Sequence, residues 1–325
     1  MKKNNLKNKK IYVAGHNGMV GSALIRYFKK KGVSKIIFVS RKNLNLLNEK
    51  EVNKFIKLKK PNVIINCAGR VGGILANSSH PVEFLNENIL IQLNLIKCAF
   101  TNNIKYFINL GSSCIYPKNS KQPIKENYLL TSELEKTNEA YALAKIVGLK
   151  ACGFYNQQYK TNYFTLMPCN LYGPNDNFDT KNSHFVPALI KKFIESKNTK
   201  NKNVEIWGSG LPKREVMHVD DLASAIFFIL KKKIYNNKNL NNYIKHNSLI
   251  NVGSGQEYTI KEFANIIKKL TKSNKKLKFN KSYPDGTKRK ILDISILKKL
   301  GWKPRISLQQ GLKSTIIWYK KNYIY

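Results

Sequence analysis

Acidic residues are scarce in this chain of 325 residues: 19 Asp and Glu stand against 58 Lys and Arg, a formal charge of +39. Such an excess suggests binding to nucleic acid or a membrane surface. That reading needs a basic helix interleaved with aromatics, and none stands out. The lysines are spread along the whole chain among abundant Asn and Ile, as a coding bias would leave them on solvated faces. No nucleic-acid partner is expected, although the charge should attract anionic ligands. Cysteine is also thin. Cys67, Cys98, Cys114, Cys152 and Cys169 are odd in number and no pair has metal-ligand spacing. Neither a disulfide framework nor a metal site is expected, and reduced thiols in the cytoplasm fit better. No apolar run reaches the ~18 residues of a membrane span. The first ten residues hold no apolar core of a signal peptide, and no internal repeat is visible.

What is present is the composition of a folded globule, with 42% hydrophobic residues in a length that accommodates one α/β domain and a smaller lobe. Lys10–Ala14 reads as a short buried strand. It runs into Gly15-His16-Asn17-Gly18-Met19-Val20-Gly21, then into a helix with Val20, Leu24, Tyr27 and Phe28 on one side. Strand, glycine turn and helix are the context of a dinucleotide-binding turn. Gly15 permits the tight turn, Gly18 lets backbone N–H groups approach a pyrophosphate, and Gly21 lets the helix pack close to the sheet. The helix N-terminus then faces the anion with its positive end. A second strand, Lys35–Ser40, ends in Arg41-Lys42. An acid there would suit a ribose 2′-hydroxyl; a cation suits a 2′-phosphate, so Arg41 predicts NADPH. Asn62–Gly69 reads as a third buried strand.

Farther on, Tyr141-Ala-Leu-Ala-Lys145 places a phenol and an ammonium on one helix face. A neighbouring cation lowers a phenol from its ordinary pKa of ~10, which makes Tyr141 a candidate proton donor to a carbonyl that accepts hydride. Upstream stands Gly111-Ser112-Ser113-Cys114-Ile115-Tyr116-Pro117, and downstream His184. These add a hydroxyl, a thiol and an imidazole. Thiol and imidazole titrate near neutrality and can exchange protons in both directions.

Strand and helix signals alternate to about residue 170, with a long helix after Pro81, a strand at Lys105–Leu110, a helix at Glu139–Tyr159 and a strand at Thr161–Met167. This alternation predicts an α/β fold: a Rossmann-like doubly wound parallel sheet whose ligands bind at C-terminal strand ends. The glycine turn, Arg41, Ser112 and Asn170 all fall at such ends. Beyond Pro174 the pattern is irregular. It gives a helix at Ser183–Ser196, a strand at Val204–Trp207 and a helix opened by Val216–Asp221. An exposed polar loop over Lys231–Ser248 follows, then a strand at Leu249–Gly253 returning to the main sheet. A helix at Thr259–Leu270 and a cationic turn at Pro284–Lys290 complete the pattern. Residues 1–174 are expected to form the nucleotide-binding domain, with returns at about 215–232 and 248–254. Residues 175–214 and 255–325 are expected to form a smaller C-terminal α/β substrate lobe.

Several segments together resemble the GDP-L-fucose synthases, members of the extended short-chain dehydrogenase/reductases. They are Gly15–Ala23, Val71-Gly-Gly-Ile74, Gly111–Pro117, Tyr141–Lys145 and Met167-Pro168-Cys169-Asn170-Leu171-Tyr-Gly-Pro174. Asn182-Ser-His184, Trp207–Gly210, His218–Asp221 and Pro284–Thr287 continue the series in the family's order. The resemblance implies a homodimer that epimerises C3 and C5 of GDP-4-keto-6-deoxy-D-mannose and then reduces C4 with NADPH, leaving NADP+. It implies Ser112 and Tyr141 at the C4 oxygen, Lys145 supporting Tyr141 and meeting the nicotinamide ribose, Cys114 as base and His184 as acid. Cofactor contacts are implied at Gly15, His16, Asn17, Gly18, Met19, Val20, Gly21, Arg41, Leu110, Gly111, Ser112, Ser113, Lys145, Pro168, Asn170, Leu171 and His184. Substrate contacts are implied at Lys192, Trp207, Arg214 and Asp285. Asn17 stands where the family often has an Arg for the 2′-phosphate, which leaves more of that task to Arg41. A 4-epimerase or dehydratase of the same fold is the rival reading, but the former has no need of a thiol–imidazole pair. The latter places an acidic pair where Ser113-Cys114 stand. A non-catalytic NADPH- or nucleic-acid-binding protein would not need Ser112, Tyr141 and Lys145 together.

Overall fold

The computed structural model describes residues 6–179, 183–234, 237–283 and 285–324; Asn182 and Pro284 of the quoted motifs lie outside them. The first part of the chain runs β1 (Ile11–Ala14), α1 (Met19–Lys30), β2 (Ile36–Ile37), α2 (Glu49–Lys59), β3 (Val63–Asn66), α3 (Ile74–Ser79), α4 (Pro81–Thr101), β4 (Tyr106–Leu110), α5 (Glu139–Tyr159), β5 (Asn162–Pro168) and β6 (Asn170–Tyr172). Then follow α6 (Phe185–Glu195), β7 (Asn203–Trp207), β8 (Lys213–His218), α7 (Val219–Ile234), α8 (Lys238–Asn247) and β9 (Leu249–Val252). The chain closes with β10 (Glu257–Thr259), α9 (Ile260–Thr271), β11 (Lys276–Asn280), β12 (Arg289–Lys290), α10 (Ser295–Lys299) and α11 (Leu308–Tyr323).

Six strands form a parallel sheet in the order β2-β1-β3-β4-β5-β9. The chain leaves β1 to opposite sides for β2 and β3, so strand order reverses there and a crevice opens at the C-terminal ends. Both faces are covered, which is why β1, β3 and β4 are buried along their whole length and apolar except for Asn66 and Asn109 near their C-terminal ends. Ile11, Val13, Val63, Ile65 and Ile108 turn toward Leu24 and Phe28 of α1 and Ile226 of α7. The alternate residues Tyr12, Ile64 and Phe107 turn toward Val52 and Ile56 of α2 and Leu95 of α4. A separate core joins Phe193 of α6, Ile206 of β7, Phe263 of α9 and Leu312 of α11. Beside it β8 is paired by β6, β10 and β12, and β7 by β11. No helix among the described residues is long and apolar enough to cross a membrane.

Several expectations change. The second strand pairs only at Ile36–Ile37, because it is the half-buried edge of the sheet. The helix expected from Val216 begins at Val219; the residues before it form β8, whose Val216 and Met217 are buried between other strands. The expected polar loop over Lys231–Ser248 is largely helical. α7 runs to Ile234, and α8 buries Leu240 and Ile244, four apart on one face, behind an N-cap at Asn237. The cationic turn at 284–290 ends in β12, which pairs with β8.

Candidate active site

The crevice begins at the glycine turn. Gly15 has a left-handed φ of +78° against the Ala68 backbone, and a side chain at Gly21 would run into the Gly15 carbonyl. Only glycine lets α1 start so close to the end of β1. A side chain at Gly18 would meet only the Gly15 carbonyl, at an ordinary contact distance of 3.5 Å, so the mouth of α1 is uncrowded beside the free N–H groups of its first turn, as an anion such as a pyrophosphate requires. Met19 and Val20 pack on the core, and Asn17 is exposed. The His16 ring lies 4.9 Å from Phe38. Arg41, just past β2, is four-fifths exposed, with Glu87 Oε2 3.9 Å away. Arg70, which the sequence reading overlooked, pairs with the same carboxylate at 2.8 Å.

The expected catalytic residues other than His184 lie on the turn after β4 and on the first turns of α5. Behind them lies a buried relay of amides. Asn66 Nδ2 donates to Asn109 Oδ1 (3.0 Å), Asn109 Nδ2 to Gln92 Oε1 (2.8 Å), and Gln92 Nε2 to the Ala144 carbonyl (2.9 Å). A side chain at Gly148 would strike Gln92, so α5 lies tight against α4 and the sheet, and the relay sets its height. Lys145, 4% exposed, donates to the Leu110 carbonyl at 3.0 Å and stands 5.5 Å from the Tyr141 ring centre. Phe84 meets that ring edge-on. Burial pulls Lys145 down to about 8. The expected lowering of the Tyr141 phenol is not found. Burial pushes it up, with the nearby Cys114 adding to the rise, because desolvation of a phenolate outweighs a lysine whose ammonium is directed at a carbonyl.

Gly111 N–H donates to the Leu166 carbonyl (2.9 Å), which holds the turn after β4 against β5. There Ser112 Oγ accepts from the Cys114 N–H (3.5 Å), and Ser113 and Cys114 are buried. The thiol does not rest near neutrality: burial raises it, opposed first by Lys290, then by Ser112 and Lys145. His184 is the N-cap residue of α6. It is exposed as a residue, yet the protein crowding its ring holds the imidazole below its usual pKa. Among the described residues no hydrogen bond or ion pair ties it to the Ser112–Cys114 turn. Pro168 ends β5, and Asn170 and Leu171, both half-buried, begin β6 beside β8.

The expected substrate residues form a second group. Lys192 Nζ donates to the Glu205 carbonyl (3.0 Å) and lies 4.9 Å over the Trp207 ring. Asp285 accepts from Ser209 N–H (2.6 Å) and Oγ–H (2.7 Å), bonds that lower its carboxyl pKa. Arg214 donates to the Thr287 and Asp285 carbonyls. The sequence reading missed Lys290 and Glu215, which with Ser113, Cys169 and Asn170 surround a narrow gap too small to hold a water. Glu215 is 2% exposed and accepts from Gly255 N–H (2.7 Å) and Leu292 N–H (2.8 Å). Burial raises it to about 7. The Arg-Glu-Val-Met-His string beside an Asp-Asp pair was the available signal, but nothing local says that its carboxylate turns inward.

A doubly wound sheet with a glycine turn at its switch point and a Ser-Tyr-Lys set beside it defines a nucleotide-dependent oxidoreductase or epimerase. The comparisons agree. Residues 11–241 match the model of the NAD dependent epimerase/dehydratase family, and the chain belongs to that family. It is 45% identical over 316 residues to GDP-L-fucose synthase 1 of Arabidopsis thaliana, covering 97% of this chain and 94% of that one. It is 43% identical over 317 residues to GDP-L-fucose synthase of Escherichia coli, covering 98% of each. Among solved structures it resembles a GDP-mannoheptose C4 reductase from Campylobacter jejuni with NADP bound. The TM-score is 0.86 at 37% identity, covering 97% of this chain and 99% of that one.

Proposed function

We propose that this chain acts as a GDP-L-fucose synthase, epimerising C3 and C5 of GDP-4-keto-6-deoxy-D-mannose and reducing its C4 ketone with NADPH. The observation that carries the reading is the meeting of the Ser112–Cys114 turn at the end of β4 with Tyr141 and Lys145 of α5. When bound, NADPH supplies the hydride for C4. The glycine turn and α1 would hold its pyrophosphate and Arg41 its 2′-phosphate. The roles of the side chains follow from the chemistry. Protons beside a ketone leave only if the charge arriving on the C4 oxygen is met, and Ser112 and Tyr141 are the donors for it. Cys114 takes a proton from one face of C3 or C5 and His184 returns one to the other. A thiol raised by burial is a stronger base once ionised, and Lys290 favours that ionised form. In the reduction Tyr141 gives its proton to C4–O, and Lys145 steadies the phenolate left behind. Lys192, Trp207, Arg214 and Asp285 serve the nucleotide end of the substrate.

A homodimer in the cytoplasm belongs to the same reading. Leu143, Val147 and Phe154 form an exposed apolar stripe on α5, with Leu90 and Leu93 exposed on the adjoining α4, a surface suited to a second copy. The five cysteines are unpaired, as a reducing compartment would keep them.

The test is NADPH oxidation with GDP-4-keto-6-deoxy-D-mannose in deuterated water, with the sugar product identified. GDP-L-fucose labelled at C3 and C5 is expected. Oxidation to an unlabelled, unepimerised sugar would reduce the protein to a C4 reductase, and no oxidation would sink the reading.

A further inference from the structure

Trp207 ends β7, and Tyr283 lies three residues past the end of β11, the strand paired with it in parallel. Their rings are parallel to within 12° with centroids 4.3 Å apart. Both remain open to solvent, 54% and 40% exposed. The pair is held from below. Asn280 lies opposite Trp207 in the strand register, and its carbonyl accepts from Gly208 N–H at 2.8 Å. Two residues past Tyr283, Asp285 takes both the N–H and the hydroxyl of Ser209. That tie needs Gly208, whose φ is +82° and whose side chain, if it had one, would run into the Asp285 carboxylate. Cations flank the rings: Lys192 lies over Trp207, and Arg214 grips the carbonyls of Asp285 and Thr287. Flat aromatic faces at a strand end, with cations beside them, match a ligand that is flat at one end and anionic next to it. Of the two rings, the sequence reading anticipated only Trp207.

We propose that Trp207 and Tyr283 form a two-ring clamp that admits the base of the nucleotide sugar between them, with Tyr283 setting the affinity for the nucleotide. The proposal rests on the GDP-sugar reading above. Insertion exchanges one ring–ring contact for two ring–base contacts, so the net gain is one stacked face. Lys192 and Arg214 suit the phosphates that follow the base.

The full chain is titrated with GDP while tryptophan emission is followed, and kcat and KM are measured with GDP-4-keto-6-deoxy-D-mannose. Tyr283→Leu keeps apolar bulk without a ring. It should weaken GDP binding and raise KM by about 5- to 30-fold, the scale of one base–aromatic stack, with kcat within about twofold. Tyr283→Phe should behave as wild type, and Trp207→Phe should abolish the emission change. Unchanged or tighter GDP binding by Tyr283→Leu would overturn the clamp and leave the GDP-sugar reading standing. Wild-type protein that fails to bind GDP at millimolar concentration would overturn both.

Discussion

The two sides of the crevice are built differently. On the cofactor side the working parts are neighbours in the chain: Gly15 and Gly18 are bonded to each other, and Gly21 touches Gly15. On the substrate side three of the ties span long stretches of chain. Ser209 and Asp285 are 76 positions apart, Arg214 and Thr287 are 73 apart, and Glu215 and Leu292 are 77 apart. The first side is a local turn whose own hydrogen bond and glycine contacts lie within residues 15–21. The second exists only when the C-terminal segment has come back to lie on β8. Substitutions on the substrate side should therefore disturb both fold and affinity, and those at the reacting groups should disturb rate alone.

The sharpest test of that contrast is Tyr141→Phe. Removing the proposed proton donor should lower kcat for NADPH oxidation by about a thousandfold, with NADPH affinity and melting temperature close to wild type. A large loss of cofactor binding would show that Tyr141 is part of the cofactor cradle instead. Cys114→Ser should lower deuterium incorporation at C3 and C5 by about a hundredfold and leave reduction of an already epimerised ketone intact. Equal loss of both steps would contradict the division of labour.

Glu215 is the probe of the long-range side. Its carboxyl is raised from the usual 4.5 to about 7 in the folded chain. The folded state therefore holds this proton where the unfolded chain has lost it, and Glu215 costs stability as pH rises between those values. Between pH 5 and pH 7.5 this amounts to about 2 kcal/mol. Asp176, another carboxyl raised to about 7, adds a fall of similar size, so urea unfolding should show the fall of Glu215→Gln smaller than that of wild type by about 2 kcal/mol; an identical fall in both would place its origin elsewhere. The smallest effect is expected at Arg41, which is highly exposed and shared with Glu87. Arg41→Ala should raise KM for NADPH about 5- to 10-fold, an effect that salt screens, while leaving KM for NADH unchanged. No change for either cofactor would shift the 2′-phosphate contact to Arg70.

Much of the first side was legible. The helix at Glu139–Tyr159 carries Tyr141 and Lys145 as expected, and the helix after Pro81 begins there, since apolar period and proline placement are local signals. Residues at C-terminal strand ends could be assembled on paper because a parallel sheet puts all those ends on one edge. What was not legible depended on burial. Nothing near Lys290 says that it will lie beside Cys114, and nothing near Tyr283 says that it will cover Trp207. The direction of the Tyr141 shift was misread for the same reason, since a one-dimensional spacing shows the neighbouring charge but not the loss of water.

The sequence by itself determined the parallel sheet and the glycine turn and offered the candidate reacting groups, because each is written in contacts within a few residues or in a hydrophobic period. Only the tertiary structure decided how those groups are tuned and what surrounds the substrate. Desolvation at Tyr141, Lys145 and Glu215, and the closure of residues 283–292 over β7 and β8, arise from segments that meet only after the chain has folded.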